Sequence, residues 1–145
     1  MESQMGAELK RINHLTAEID AAYHEAAWKI GLSDSAMQVL YTICNYGEAC
    51  PLNDIIRLSG RRKQTVNSAL RKLEAAGILY LKAFQGRKKM VCLTDRGSAL
   101  VQSTVFRVIA IENEIFDSWP PAQRALYVEL MEKYLSSFKE KIQAL

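Results

Sequence analysis

The sequence predicts a mainly α-helical chain carrying one small β-hairpin, and three observations predict it. Glycine and proline together number only 10 among 145 residues, too few for a turn-rich sandwich of strands. Apolar side chains recur every three or four residues through most of the chain, which is the period of amphipathic helices. That period gives way over residues 78–93, where two short apolar runs flank a polar turn. With 49% hydrophobic and 24% charged residues, the composition is that of a globular protein rather than a disordered or fibrous one.

The first helix is expected from about residue 5 to 30, where Ile12, Leu15, Ile19, Ala22, Tyr23, Ala26 and Ile30 form one stripe; Gly31 ends it. Ser33 is placed to N-cap a second helix through Ala36, Met37, Leu40, Ile43 and Cys44, stopping near Tyr46 and Gly47. Pro51 opens a short third helix with Leu52, Ile55, Ile56 and Leu58 facing inward, and Ser59-Gly60 breaks it. A fourth helix runs from about Arg62 to Ala76 and closes at Gly77. Two short helices around a tight Ser-Gly break make a helix-turn-helix pattern.

Ile78 to Phe84 then reads as a strand, Gln85 to Lys89 as a turn, and Met90 to Leu93 as a second strand. A hairpin tipped with Arg87, Lys88 and Lys89, directly after a helix-turn-helix, is a wing. Thr94 is expected to cap a single long helix reaching Phe116. That helix is apolar almost all round, so it should be buried on several sides. Ser118 to Pro121 breaks the chain, and a last helix runs from Ala122 to about Gln143 with Leu126, Tyr127, Leu130, Met131, Tyr134, Phe138 and Ile142 along a stripe.

The fold class is therefore a winged helix-turn-helix flanked by N- and C-terminal dimerisation helices. The long terminal helices hold more apolar surface than one chain of this length covers, which points to a homodimer interlocked about a twofold axis. The expected divisions are a dimerisation helix over 1–31, a DNA-binding lobe over 32–97 and C-terminal dimerisation helices over 98–145.

Net charge is only +3, but its distribution is uneven. Residues 51–97 carry eleven basic side chains against three acidic ones, a net +8, while the rest of the chain is at −5. Such an asymmetry is the electrostatic footprint of a nucleic-acid-binding module, or of a solvated basic face without a partner. The fourth helix separates these readings. On a wheel centred on Val66, the residues Ala69, Leu70, Leu73 and Ala76 point inward, and Gln64, Asn67, Ser68, Arg71 and Ala75 point outward. Solvent faces are usually built from Glu and Lys pairs. This face has no acidic residue until Glu74 on its flank, and its Asn, Gln, Ser and Arg are the residue types that read base edges in a major groove. Arg61, Arg62 and Lys63 stand at the start of the helix, an unfavourable place for cations unless phosphates dock there.

Over about Leu9 to Ile142 the chain resembles the MarR family of bacterial winged helix-turn-helix regulators. The resemblance is most specific in Thr65-Val66-Asn67-Ser68-Ala69-Leu70-Arg71-Lys72-Leu73-Glu74-Ala75-Ala76-Gly77-Ile78-Leu79, which is similar to the family's recognition helix and first wing strand. Arg87 and the run Leu93-Thr94-Asp95-Arg96-Gly97 supply a second marker. The resemblance implies a homodimer on a pseudopalindromic operator of double-stranded DNA, usually as a repressor. Gln64, Asn67, Ser68 and Arg71 would then face bases and Thr65 backbone or base. Arg61, Arg62 and Lys63 would meet phosphates, while Arg87, Lys88 and Lys89 at the wing tip would reach toward the minor groove. One departure stands out: family wings usually carry an acidic residue two before the arginine, and here that position is Gln85.

The resemblance also implies a switch. Many members release DNA when a small aromatic or phenolic acid binds, and Tyr23, Trp28, Tyr41 and Tyr46 are candidates to line such a pocket, with ordinary core packing as the competing reading. Some relatives sense oxidants through cysteine. Of Cys44, Cys50 and Cys92, Cys50 is expected in an exposed loop and is the candidate redox residue. Three cysteines without a C-x-x-C spacing suggest neither a disulfide framework nor zinc, and His14 and His24 fall on different faces of one helix, so no metal and no cofactor are expected. No nucleophile–base signature, G-x-S-x-G or phosphate-binding glycine loop marks an enzyme. A winged-helix protein-assembly module and a non-specific architectural DNA binder remain as alternatives. No apolar run spans a membrane and no signal peptide is visible, so the expected location is the cytoplasm.

Overall fold

The computed structural model describes residues 4–145. Its elements, in chain order, are α1 (Ala7–Lys29), α2 (Asp34–Tyr46), β1 (Ala49–Pro51), α3 (Leu52–Leu58), α4 (Lys63–Ala75), β2 (Leu79–Ala83), β3 (Lys89–Leu93), α5 (Asp95–Ser103), α6 (Val105–Asp117) and α7 (Pro121–Ile142). The chain divides into two compact units, one ending at Val108 and the other covering Ile109–Leu145.

In the first unit, the core is built where the helical period predicts it. Leu40 and Ile43 of α2, Ile55 of α3 and Val66 and Leu70 of α4 are buried, as are Leu79 and Val91 of the sheet. Ala27, Met37 and Val108 form a smaller cluster that ties α1 to α2 and to the first turn of α6. The Ser33 hydroxyl caps α2 by accepting from the Ala36 N–H at 3.2 Å.

The sheet has three strands in the order β1-β3-β2, all antiparallel. Two were expected. The third, β1, pairs with β3 so that Cys50 lies opposite Val91. Its three residues show no period of their own, and their extended form comes from the partner strand.

A second difference lies in the helix expected to run unbroken from Thr94 to Phe116. It divides at Thr104, whose φ of −127° and ψ of −88° leave the helical region. The Ser103 and Thr104 hydroxyls both donate to the Leu100 carbonyl, at 3.0 and 2.7 Å. Such back-bonding competes with the backbone ladder and bends helices. A third difference is Leu58, expected inward but exposed.

The end of α4 and the start of α5 share one junction. Gly77, at φ +75°, closes α4 in a Schellman motif: the Gly77 N–H donates to the Glu74 carbonyl at 3.0 Å and the Ile78 N–H to the Leu73 carbonyl at 2.9 Å. Thr94 then fastens α5 to the same stretch. Its hydroxyl donates to the Gly77 carbonyl at 2.6 Å and accepts from the Gly97 N–H at 3.0 Å. Its own N–H donates to the Ile78 carbonyl at 3.0 Å.

In the second unit, the turn before α7 is held by aromatic packing. Phe116, Trp119 and Tyr127 meet edge-to-face at 5.0 to 6.1 Å between ring centroids. No residue of α7 is buried, and Leu126, Val128, Leu130, Met131, Tyr134, Leu135 and Phe138 are all at least half exposed. Most of the large apolar residues of α6 beyond Val108, expected to be buried on several sides, are likewise open: Ile111, Ile115 and Phe116 are exposed, and Ile109 is half-buried.

Candidate nucleic-acid interface

The turn into α4 is made by Ser59, Gly60 and Arg61. The buried Ser59 hydroxyl accepts from the Arg61 N–H at 3.2 Å, and Gly60 takes a φ of +65°. No side chain caps α4 at Arg62, and its first turn holds no acidic residue. The first-turn N–H groups therefore lack a side-chain acceptor, and Arg61, Arg62 and Lys63 beside them are all exposed. The inward face is Val66, Ala69, Leu70 and Leu73, all buried. Opposite it, Gln64, Thr65, Ser68 and Arg71 are exposed and Asn67 is half-buried. The Arg71 guanidinium reaches back to donate to the Asn67 carbonyl at 3.4 Å.

The wing tip lies beyond Ala83 and Lys89, the last paired residues of β2 and β3. The Phe84 N–H donates to the Lys88 carbonyl at 2.8 Å, closing a tight loop. Gln85 and Gly86 turn it with φ of 47° and 74°. Two successive positive φ values match the right-handed twist of a hairpin, at a local cost of about 1–2 kcal/mol for the non-glycine residue. Arg87, Lys88 and Lys89 are exposed, and no acidic residue occurs between Glu74 and Asp95. Among the described residues, none of these three cations has an ion-pair partner.

Away from the outward face of α4, a cavity of about 690 Å³ is lined by Asp20, Tyr23, His24, Asp34, Tyr41 and Arg61, among others. His24 Nδ1 and Asp34 Oδ2 lie 2.5 Å apart across its wall and join α1 to α2. Of the four aromatic candidates for an effector pocket, Tyr23 and Tyr41 meet here. Trp28 and Tyr46 do not line it: Trp28 is 77% exposed at the end of α1, and the exposed Tyr46 phenol is pushed up by desolvation and by Asp54. Arg61 is shared between this cavity and the start of α4, a double placement that sequence spacing does not reveal. A second recess, of about 450 Å³, lies between the first turn of α2 and α4.

The cysteines require a correction. Cys50, expected in an exposed loop, is fully buried on β1 because that strand joins the sheet. Burial, with a smaller contribution from Asp54, pushes its thiol up to about 11, the opposite of what a reactive thiolate needs. Cys44 is half-buried and likewise pushed up by burial to about 11, and Cys92 is buried. A redox role for Cys50 is thereby withdrawn. Among the described residues no group of three or more His, Cys, Asp and Glu side chains is arranged to hold a metal ion, and no helix is long and apolar enough to cross a membrane.

The MarR family model matches residues 30–89, which take in α2, the helix-turn-helix and the first half of the wing. No curated protein sequence matches the chain. Among solved structures, a MarR family regulator from Neisseria meningitidis is similar with a TM-score of 0.81 at 17% identity, covering 96% of this chain and 98% of that one. A MarR family regulator from Streptomyces coelicolor, solved in complex with DNA, gives 0.67 at 16% identity over 94% and 91%. BpsR of Bordetella bronchiseptica, whose DNA binding is regulated by 6-hydroxynicotinic acid, gives 0.61 at 24% identity over 92% and 99%. The matched family model and these similar structures are those of MarR family regulators. The winged-helix segment thus matches the MarR family model, and nearly the whole chain takes the fold of MarR family transcriptional regulators.

Proposed function

We propose that this chain is a sequence-specific DNA-binding repressor that acts as a homodimer on a pseudopalindromic operator and leaves it when a small aromatic or phenolic acid binds. The observation that carries the reading is the outward face of α4, polar and free of acid, with exposed cations at its own start and further exposed cations at the wing tip that follows it in the chain. Gln64 and Asn67 have the paired donor and acceptor that match adenine, and Arg71 the fork that matches guanine. Arg61, Arg62 and Lys63 would hold phosphates together with the uncapped N–H groups of α4. Arg87, with Lys88 and Lys89, would enter the minor groove, without the acidic neighbour that usually steadies the arginine.

The exposed apolar side chains of α1 and α7 favour a second copy of the chain as their cover, which is also what a twofold operator requires. The lobe over 32–97 would then carry the DNA contacts and the segments on either side the dimer, in the cytoplasm where the DNA is. For the effector, Tyr23 and Tyr41 offer ring faces and Arg61 a partner for a carboxylate. An acid held there would draw Arg61 away from phosphate, and the aromatic hydroxy acid that regulates BpsR has that chemistry.

The test is a selection of a random duplex pool on the purified protein at moderate salt. An enriched inverted repeat with half-sites about 10 base pairs apart establishes the regulator. Salt-sensitive binding without enrichment points instead to an architectural binder, and no binding at low salt to a protein-assembly module. Aromatic hydroxy acids added to the selected complex should release it, and Arg61→Gln should blunt that release.

A further inference from the structure

The outward face of α4 is two stripes, and one of them borders a recess. Measured from Val66, Asn67, Arg71 and Gln64 lie at about 100° to 160° on one side, and Thr65, Lys72 and Ser68 at about 100° to 160° on the other. The residues of the second stripe are exposed, and they look into a recess rather than onto a flat surface. With Gln64 at its edge, this stripe forms one wall of the 450 Å³ recess, whose opposite wall is the first turn of α2 with Ser33 and Ser35. Resting on the reading above, we infer that this recess is a backbone-phosphate cleft of the DNA interface, in which Lys72 and Ser35 hold one phosphate per half-site while Thr65 and Ser68 donate to it.

The chemistry of the cleft is one-sided. Four hydroxyls and the cations Arg62 and Lys72 converge on it, and no acidic side chain lines it. The Ser33 hydroxyl already accepts from the Ala36 N–H, which leaves its proton to donate. Asp34, the one acid in the first turn of α2, is turned away and engaged with His24 at the other cavity. Phosphate oxygens accept hydrogen bonds and carry charge, so they fit this lining; base edges, which offer donors and acceptors in mixed order, fit the Gln64, Asn67 and Arg71 stripe. The assignment moves Ser68 from base reading to positioning and adds Ser33, Ser35 and Lys72 to the DNA-facing surface.

The experiment uses the full-length protein and the operator recovered by selection. Lys72→Gln and Ser35→Ala should weaken the operator and a random duplex by the same factor and leave the selected base preferences unchanged. Lys72→Gln should also lower the slope of log K against log salt by about 0.9 per protomer. Replacing single operator phosphates with neutral methylphosphonates supplies the decisive arm. One position per half-site should cost the wild type several-fold in affinity and cost Lys72→Gln nothing further. Additive losses at every phosphate, an unchanged salt slope, or a base preference that shifts with Lys72→Gln or Ser35→Ala would each overturn the cleft. If the wild type selects no sequence, the regulator reading falls first and the cleft with it; if selection succeeds and the methylphosphonate arm fails, the cleft alone falls.

Discussion

Replacing Gly97 by alanine should destabilise the winged-helix unit more than any other single-methyl addition at a glycine. A Cβ on Gly97 would stand 1.9 Å from the Ile78 carbonyl oxygen, 3.0 Å from its carbon and 3.3 Å from Leu93 Cδ2. Carbon atoms of real side chains do not come within 3.0 Å of such neighbours, so α5 and the start of β2 must part by at least 1.1 Å. That is backbone against backbone, with no flexible side chain to swing aside. The same movement strains the bonds from Thr94 to Gly77 and Ile78. Overpacking costs about 1–3 kcal/mol and each weakened hydrogen bond about 0.5–1.5 kcal/mol, so the total should fall near 2–4 kcal/mol. With an m-value of about 2 kcal/mol/M in urea, the midpoint should drop by about 1–2 M with m unchanged. Gly77→Ala offers a calibrated comparison: its Cβ meets only the Arg96 guanidinium at 3.9 Å, and its cost should be the about 1–2 kcal/mol of a left-handed alanine. Gly6→Ala, with open space and an ordinary φ, should change nothing. All three must be unfolded at one protein concentration, because association contributes to apparent stability. A Gly97→Ala midpoint within about 0.2 M of wild type would refute the close-packed junction.

Three further outcomes are expected. Arg71→Ala should cost about 1–3 kcal/mol on the selected operator and relax base preference at one position of each half-site; repeating the selection with the variant reads both. Lys88→Ala with Lys89→Ala should weaken operator and random duplex alike and lower the salt slope by about 0.9 for each phosphate left unneutralised, measured by titration at several salt concentrations. The Cys44 and Cys50 thiols, held at about 11 by burial, keep their protons in the folded chain up to that pH while the unfolded chain releases them near 9. Their contribution to stability is therefore complete below pH 9 and is lost as pH rises from 9 towards 11. Urea titrations across that window should show a steeper decline for wild type than for Cys44→Ala with Cys50→Ala, and native Cys50 should resist iodoacetamide at about pH 8.

The elements that position the interface were legible because each carries its own local signal. The α4 period, Gly77 at its end and the apolar runs around Gln85-Gly86 all act within about fifteen residues of chain. What stayed hidden depends on pairings between distant segments. Ala49-Cys50-Pro51 becomes a strand only because β3 stands beside it, about forty residues on, and the same pairing buries a cysteine that local polarity would expose. The break at Thr104 was masked because apolar residues keep their helical spacing across it, and two hydroxyls rather than a glycine or proline end the ladder. Ser33, Ser35 and Lys72 carry no signal as isolated residues; they become a group only when α2 packs beside α4. The four effector candidates divided on the same ground, since Tyr23 and Tyr41 meet across two helices and Trp28 lies outside the cavity.

No residue of α7 is buried within a single chain, and with a second copy as its cover that has a genetic consequence. Subunits would pair through α7 whatever the state of their recognition helices. A copy damaged only at Asn67 or Arg71 would still pair with intact subunits, and each mixed pair would hold one competent half where the operator needs two. Expressed at equal levels, damaged and intact subunits would leave about a quarter of the pairs fully functional, so lesions in α4 should behave as dominant. Lesions that spoil the apolar arc of α7 should instead behave as recessive, because those subunits never reach a partner.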